Sequence, residues 1–261
     1  MSTPDYYTSA APRDQLAVDI FKGEWSSCFP KSSGLETGGT AGLFEDERIH
    51  WATRQLATHG QSVAGSHALE IGPLEGGHTV MLENAGAESI TAIEANSRAY
   101  LKCLVTKEIM GLGRSRFLFG DALAYLGEET RSFDVAIACG ILYHMTDPVR
   151  FLELLTQRCE HVYLWTVYYD AGFCAEHPEY AAKFTAHTEY QHAGFDHHLH
   201  RYEYQDALNW QGFCGGPRPF CQWMERDEIL GALHHFGFTQ QSVRDEPNPH
   251  GNALSVVASK A

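Results

Sequence analysis

The chain has 261 residues, enough for one α/β domain carrying insertions and a sizeable core. Hydrophobic residues make up 44% and charged residues 20%, and no apolar run approaches the roughly 18 residues that a membrane span needs, so no spanning segment is expected. The balance of 33 acids against 19 bases gives a formal charge of −14, which disfavours nucleic acid as a partner, because phosphate backbones are gripped by clustered Lys and Arg.

Residues 1–14 lack a basic start followed by an apolar block, which predicts a cytoplasmic protein with a loose N-terminus and no signal peptide. The segments LAVDIFKGEW and FEDERIHWATRQLATHG read as helices separated by a Gly/Ser/Thr loop at 32–42, and 1–66 is expected to form an N-terminal helical cap. From His67 short apolar runs alternate with longer amphipathic ones, the pattern of βαβ units. Strands are predicted near 67–71, 89–94, 115–119, 133–138 and 160–167, with helices at about 76–86, 97–111, 121–127 and 147–158. The block 168–222, rich in aromatics and histidine, reads as an insertion over the carboxyl edge of the sheet, where open α/β sheets bind ligands. ERDEILGALHHFGF then predicts a helix ending at Gly237, and TQQSVRD and NALSVVASK two closing strands. The expected fold class is α/β: a Rossmann-like, seven-stranded, mostly parallel sheet with helices on both faces over 67–261. The 7 cysteines include no C-x-x-C pair, which argues against a disulfide framework and a zinc ribbon.

The run Leu69-Glu70-Ile71-Gly72-Pro73-Leu74-Glu75-Gly76-Gly77 sends a strand into a glycine turn and a helix start, where backbone approaches a ligand. A nicotinamide dinucleotide site prefers G-x-G-x-x-G; here an acid precedes the first glycine by two residues, which suits a cationic ligand better than a pyrophosphate. Glu94 ends the second strand, where a carboxylate accepts both ribose hydroxyls. Gly120-Asp121 ends the third, placing an acceptor where an adenine amino group would lie, and Gly140 to Pro148 follows the fourth. Singly, each acid reads equally well as a helix cap, Asp121 above all.

Taken in this order, the residues from about 67 to the end resemble the class I S-adenosylmethionine-dependent methyltransferases. Within that class the nearest likeness is to the tRNA wobble-uridine methyl- and carboxymethyltransferase group, through Glu47-x-x-x-Trp51, GAESITAIEA and GILYHMTDPVRFL. The resemblance implies S-adenosyl-L-methionine as cofactor, with Glu70 and Gly72 holding its methionine portion, Glu94 the ribose and Asp121 the adenine, and Gly76 and Gly140 as further cofactor-binding positions. This chain departs from the carboxymethyl enzymes, which carry a lysine ahead of the tryptophan segment, whereas no lysine occurs between Lys31 and Lys102.

Methyl transfer needs no protein nucleophile, only in-line approach, dryness and in some cases a base. The candidates for that base are His144, with Tyr143 beside it, and then His198 and His200 from the insertion. The run His187-x4-His192-x4-His197-His198-x-His200 is too irregular for one closed metal site, so no metal is expected. Trp25, Phe44, Trp51, Trp165, Trp210 and Trp223 read as packing. The expected function is methylation of a small-molecule acceptor at oxygen or nitrogen. The alternatives are a tRNA-modifying transferase and a cofactor-binding protein without chemistry.

Overall fold

The computed structural model describes residues 7–210, 212–248 and 251–260. Part of the expected loose N-terminus, residues 1–6, lies outside the described residues. In chain order the helices are α1 (Asp14–Asp19), α2 (Glu47–Thr58), α3 (Gly77–Asn84), α4 (Ser97–Met110), α5 (Ala122–Glu128), α6 (Pro148–Arg158), α7 (Ala171–Glu176), α8 (Pro178–Ala181) and α9 (Arg226–His235). The strands are β1 (His67–Ile71), β2 (Ser89–Glu94), β3 (Ser115–Phe119), β4 (Phe133–Cys139), β5 (Cys159–Val167), β6 (Phe184–His192), β7 (Phe195–Glu203), β8 (Phe220–Trp223), β9 (Gln240–Glu246) and β10 (Ala253–Ser259).

The main sheet has seven strands in the order β3-β2-β1-β4-β5-β10-β9. The first five are parallel, and β10 runs antiparallel to both β5 and β9. Leu69, Ala136, Val162 and Val256 are fully buried, as central strands covered on both faces require. Side-chain caps start the helices that cross between strands: Asn96 accepts from Arg98 and Ala99 at α4, Asp121 from Ala124 at α5, and Asp147 from Arg150 at α6, where Pro148 fills the first turn. Strand order reverses between β1 and β4, which puts a crevice at their carboxyl ends.

The first helix is shorter than its sequence pattern predicts. It stops at Asp19, Gly23 turns the chain at φ +85°, and the Trp25 indole donates to the Val18 carbonyl at 3.0 Å. Val18, Phe21, Trp25, Phe29 and Phe44 share one apolar cluster with Val80, Ala92, Cys103 and Phe117 of the main domain. The insertion also differs from its apparently irregular sequence. Strands β6, β7 and β8 form a second, antiparallel sheet, with β6 and β7 joined at Ala193-Gly194, whose φ values of +48° and +82° make a two-residue hairpin turn. No helix among the described residues is long and apolar enough to cross a membrane.

Candidate active site

A cavity of about 440 Å³ opens at the carboxyl ends of β1 to β4, and Gly72, Glu94, Asp121 and His144 line it. Gly72 leaves β1 at φ +71°, and a Cβ there would come within 3.1 Å of Ile141, so only glycine keeps both the turn and the space. The two Glu94 oxygens accept from the Asn96 N–H at 2.8 Å and the Leu74 N–H at 3.0 Å. Burial raises the Glu94 pKa against the pull of these bonds and of the Ala95 backbone N–H. Asp121 uses one oxygen to cap α5, at 2.9 Å from the Ala124 N–H, so capping and lining the cavity are held by the same side chain.

Glu70 stands behind this wall and is 1% exposed. Its Oε2 accepts from the Thr79 hydroxyl, while Oε1 has no partner among the described residues. Burial pushes its pKa up. A sealed carboxylate oxygen without a donor is costly, and Glu70 itself lines neither cavity: it sits one residue behind the Ile71-Gly72 stretch that does. Gly76 and Gly140 line neither cavity described here. Gly76 begins α3 at φ +81°, where a Cβ would touch Phe117 and Thr106 at 3.4 Å, and Gly140 turns the chain out of β4 at φ +84°.

A second cavity of about 190 Å³ adjoins the first and is walled by Tyr143, Trp165, Tyr180, Tyr202 and Trp223. No Asp, Glu, Lys or Arg lines it among the described residues. Tyr202 and Trp223 stack at 5.0 Å and 17°, and the Tyr143 ring stands edge-on to both indoles. Trp165 and Trp223, which the sequence assigns to packing, thus also face open space. The Trp165 indole N–H is buried without a partner among the described residues.

His144 belongs to the lining of both cavities. Its Nδ1 lies 2.8 Å from the Tyr204 hydroxyl. Burial pushes its pKa down to about 4, well below the ordinary imidazole value expected from sequence, so it is neutral across the physiological range. Burial likewise raises the Tyr143 pKa and keeps that phenol protonated.

His198 and His200 line neither cavity. His198 is half exposed and pairs with Glu228 at 2.7 Å, which raises its pKa. His200 stacks on Tyr169 at 3.6 Å, its Nδ1 meets that of His187 at 2.5 Å, and burial lowers its pKa to about 4. The hairpin accounts for both positions: the ladder sets His198 opposite Glu189 and His200 opposite His187, spreading the histidines along two strands.

Asp46, His78 and Cys139 bring potential ligand atoms within 4.8 Å of one another. The donors present fit an ion-pair lock better than a metal. Both Asp46 oxygens are engaged by Arg48, and one also by His78 at 2.9 Å. Burial alone would raise the Asp46 pKa, but the His78 and Arg48 bonds outweigh it, and burial pushes the Cys139 thiol up to about 12. Arg48 also lies 4.4 Å over the Trp165 ring, carrying the lock to the wall of the second cavity.

No family model matches the chain. Among solved structures, the N-terminal domain of EvdMO1 in the presence of SAH and D-fucose superimposes with a TM-score of 0.69 at 18% identity, covering 95% of each chain. Magnesium protoporphyrin IX methyltransferase from Synechocystis PCC 6803, with bound SAH, gives a TM-score of 0.56 at 13% identity over 84% of each chain. Among curated proteins, a tRNA U34 carboxymethyltransferase of Idiomarina loihiensis is 29% identical over 119 residues, 44% of this chain and 36% of that protein. The Psychrobacter arcticus enzyme of the same name is 25% identical over 122 residues, 43% of this chain and 35% of that one. The match therefore spans little more than a third of the curated relatives. The strand order and these superpositions together show that the chain has the fold of the class I S-adenosylmethionine-dependent methyltransferases.

Proposed function

We propose that this chain transfers the methyl group of S-adenosylmethionine to a hydroxyl of a small neutral acceptor held in the aromatic cavity. The observation that carries this reading is the position of His144, in the wall common to a cavity edged by acids and glycine and a second one edged by neutral rings. Glu94 would accept the ribose hydroxyls, Asp121 the adenine amino group, and Glu70 with the Gly72 turn would hold the ammonium end. When bound, S-adenosylmethionine would supply an electrophilic methyl to the acceptor oxygen, with S-adenosylhomocysteine as the leaving group. His144 takes the hydroxyl proton, becomes imidazolium and returns that proton to solvent. A base with a pKa near 4 suffices, because the acceptor hydroxyl turns strongly acidic as its oxygen gains the methyl. Tyr143 stays protonated and positions the acceptor.

The acceptor class is supported by the cavity walls and by one neighbour. Aromatic faces bind the C–H faces of a sugar ring while the phenols bond its hydroxyls, and the EvdMO1 domain was crystallised with D-fucose. Modification of tRNA is the rival reading, favoured by the local identity to the carboxymethyltransferases and opposed by the charge of −14.

Calorimetry with S-adenosylhomocysteine is expected to show binding, and Glu94→Ala to weaken it by about 1.5–3 kcal/mol, roughly 10- to 150-fold. Preference for NAD would overturn the cofactor. Electrophoretic shift with bulk tRNA at about 0.15 M salt should give no specific complex. A tight complex that weakens steeply with salt would support the tRNA reading, whereas methylation of a neutral sugar such as D-fucose would support ours.

A further inference from the structure

Tyr204 follows β7 in the insertion and is 6% exposed. Its hydroxyl meets the Gly215 carbonyl at 2.5 Å and His144 Nδ1 at 2.8 Å, with the Cys221 thiol, a weak partner, as a third neighbour. A carbonyl only accepts, so the single phenolic proton is committed to Gly215. The hydroxyl oxygen is then left to accept, which requires Nδ1 of His144 to carry its ring proton. The other nitrogen, Nε2, keeps its lone pair, and it makes no hydrogen bond to any described residue.

The loop that supplies the Gly215 carbonyl also borders the larger cavity. Phe213, Cys214, Gly216 and Pro217 line it, and the Phe213 carbonyl accepts from the Asn96 side chain at 3.2 Å. Phe213 packs edge-on against the Tyr204 ring at 4.9 Å. A Cβ at Gly215 would fall 2.7 Å from both the Phe213 and Tyr204 rings, so the carbonyl is placed by a contact that admits glycine alone.

We propose that Tyr204 is a positioning residue that fixes His144 as its Nδ1–H tautomer, and that the 213–217 loop, which lines the cofactor cavity, supplies the carbonyl on which this tautomer depends. The inference deepens the reading of His144 as the base, and rests on it for its functional meaning. Free imidazole side chains in water favour the opposite, Nε2–H form, whose protonated Nε2 would be useless as a base there. The base is thus competent only where the loop that borders the cofactor cavity is in place.

The test is long-range ¹H–¹⁵N NMR of the imidazoles in the full chain with S-adenosylhomocysteine, the His144 signals being assigned by their loss in His144→Gln. The wild-type protein should show a protonated Nδ1 and a bare Nε2 at pH 7. In Tyr204→Phe, which removes only the hydroxyl, the assignment should reverse to Nε2–H. A wild-type ring protonated at Nε2, or a Tyr204→Phe ring with its tautomer unchanged, overturns the proposal. Should the variant misfold, the wild-type tautomer alone still decides. Failure of the methyltransferase reading shows separately, as absence of S-adenosylhomocysteine binding by calorimetry.

Discussion

Replacing His144 by Gln is expected to lower turnover by about 100-fold or more while leaving affinity for S-adenosylhomocysteine nearly unchanged. Gln keeps polarity and approximate size but cannot accept a proton, so the change isolates the base from the wall. The pH profile gives the same residue a second signature. Burial holds the His144 pKa near 4, so the neutral, accepting form persists as pH falls and the acid limb of kcat/KM should lie near pH 4, not near the ordinary value of 6.5. Steady-state kinetics with the acceptor and calorimetry on both proteins make the comparison. Full turnover in the variant removes the base role, and a loss of cofactor affinity with chemistry intact means that His144 only holds the loop.

The largest effect on stability is expected from Lys102→Met, which should cost about 3–5 kcal/mol in chemical denaturation. Lys102 Nζ lies 2.5 Å from Glu75 Oε1, with side-chain exposures of 6% and 0%. Removing the cation leaves a carboxylate sealed from water with only backbone donors. The ion pair between Arg54 and Glu47, both more than half exposed, is the control: breaking it should leave the unfolding midpoint unchanged, because solvent already screens both charges. An unchanged midpoint in Lys102→Met would mean that the interior at Glu75 admits water.

The main sheet was readable because its strands carry two plain signals. Those at the centre are covered on both faces: Val135 to Ala138 reads as an unbroken apolar run, Ala68 to Ile71 is interrupted only by Glu70, and glycines mark where β1 and β4 end. The acids were readable because Glu94 and Asp121 sit at strand ends, where sequence register alone places them on one edge. The insertion was placed, but its strands were not. Strand β6 is exposed along almost its whole length, so it shows no alternation, and its turn has Ala193 in the left-handed region where Asn is the usual signal. The aromatic cavity was hidden for a different reason: its walls come from β5, β7, β8, α8 and the loop after β4, and only the folded chain brings them together. Tyr204 is found only through its contact with His144, 60 residues away in sequence.

Glu75 sits inside the glycine turn, and its carboxylate is held by the N–H groups of Ser26 and Ser27, at 2.8 Å each, as well as by Lys102. The turn that borders the larger cavity and the stretch of chain around residue 26 are therefore ordered by one side chain. Thermodynamic reciprocity follows: whatever a ligand gains by stiffening the turn it also confers on this distant stretch, and an N-terminal truncation past Ser27 is expected to weaken ligand affinity although none of the described residues it removes lines the cavity. Amide hydrogen exchange at Ser26 and Ser27 would then report occupancy of a site that those residues never touch.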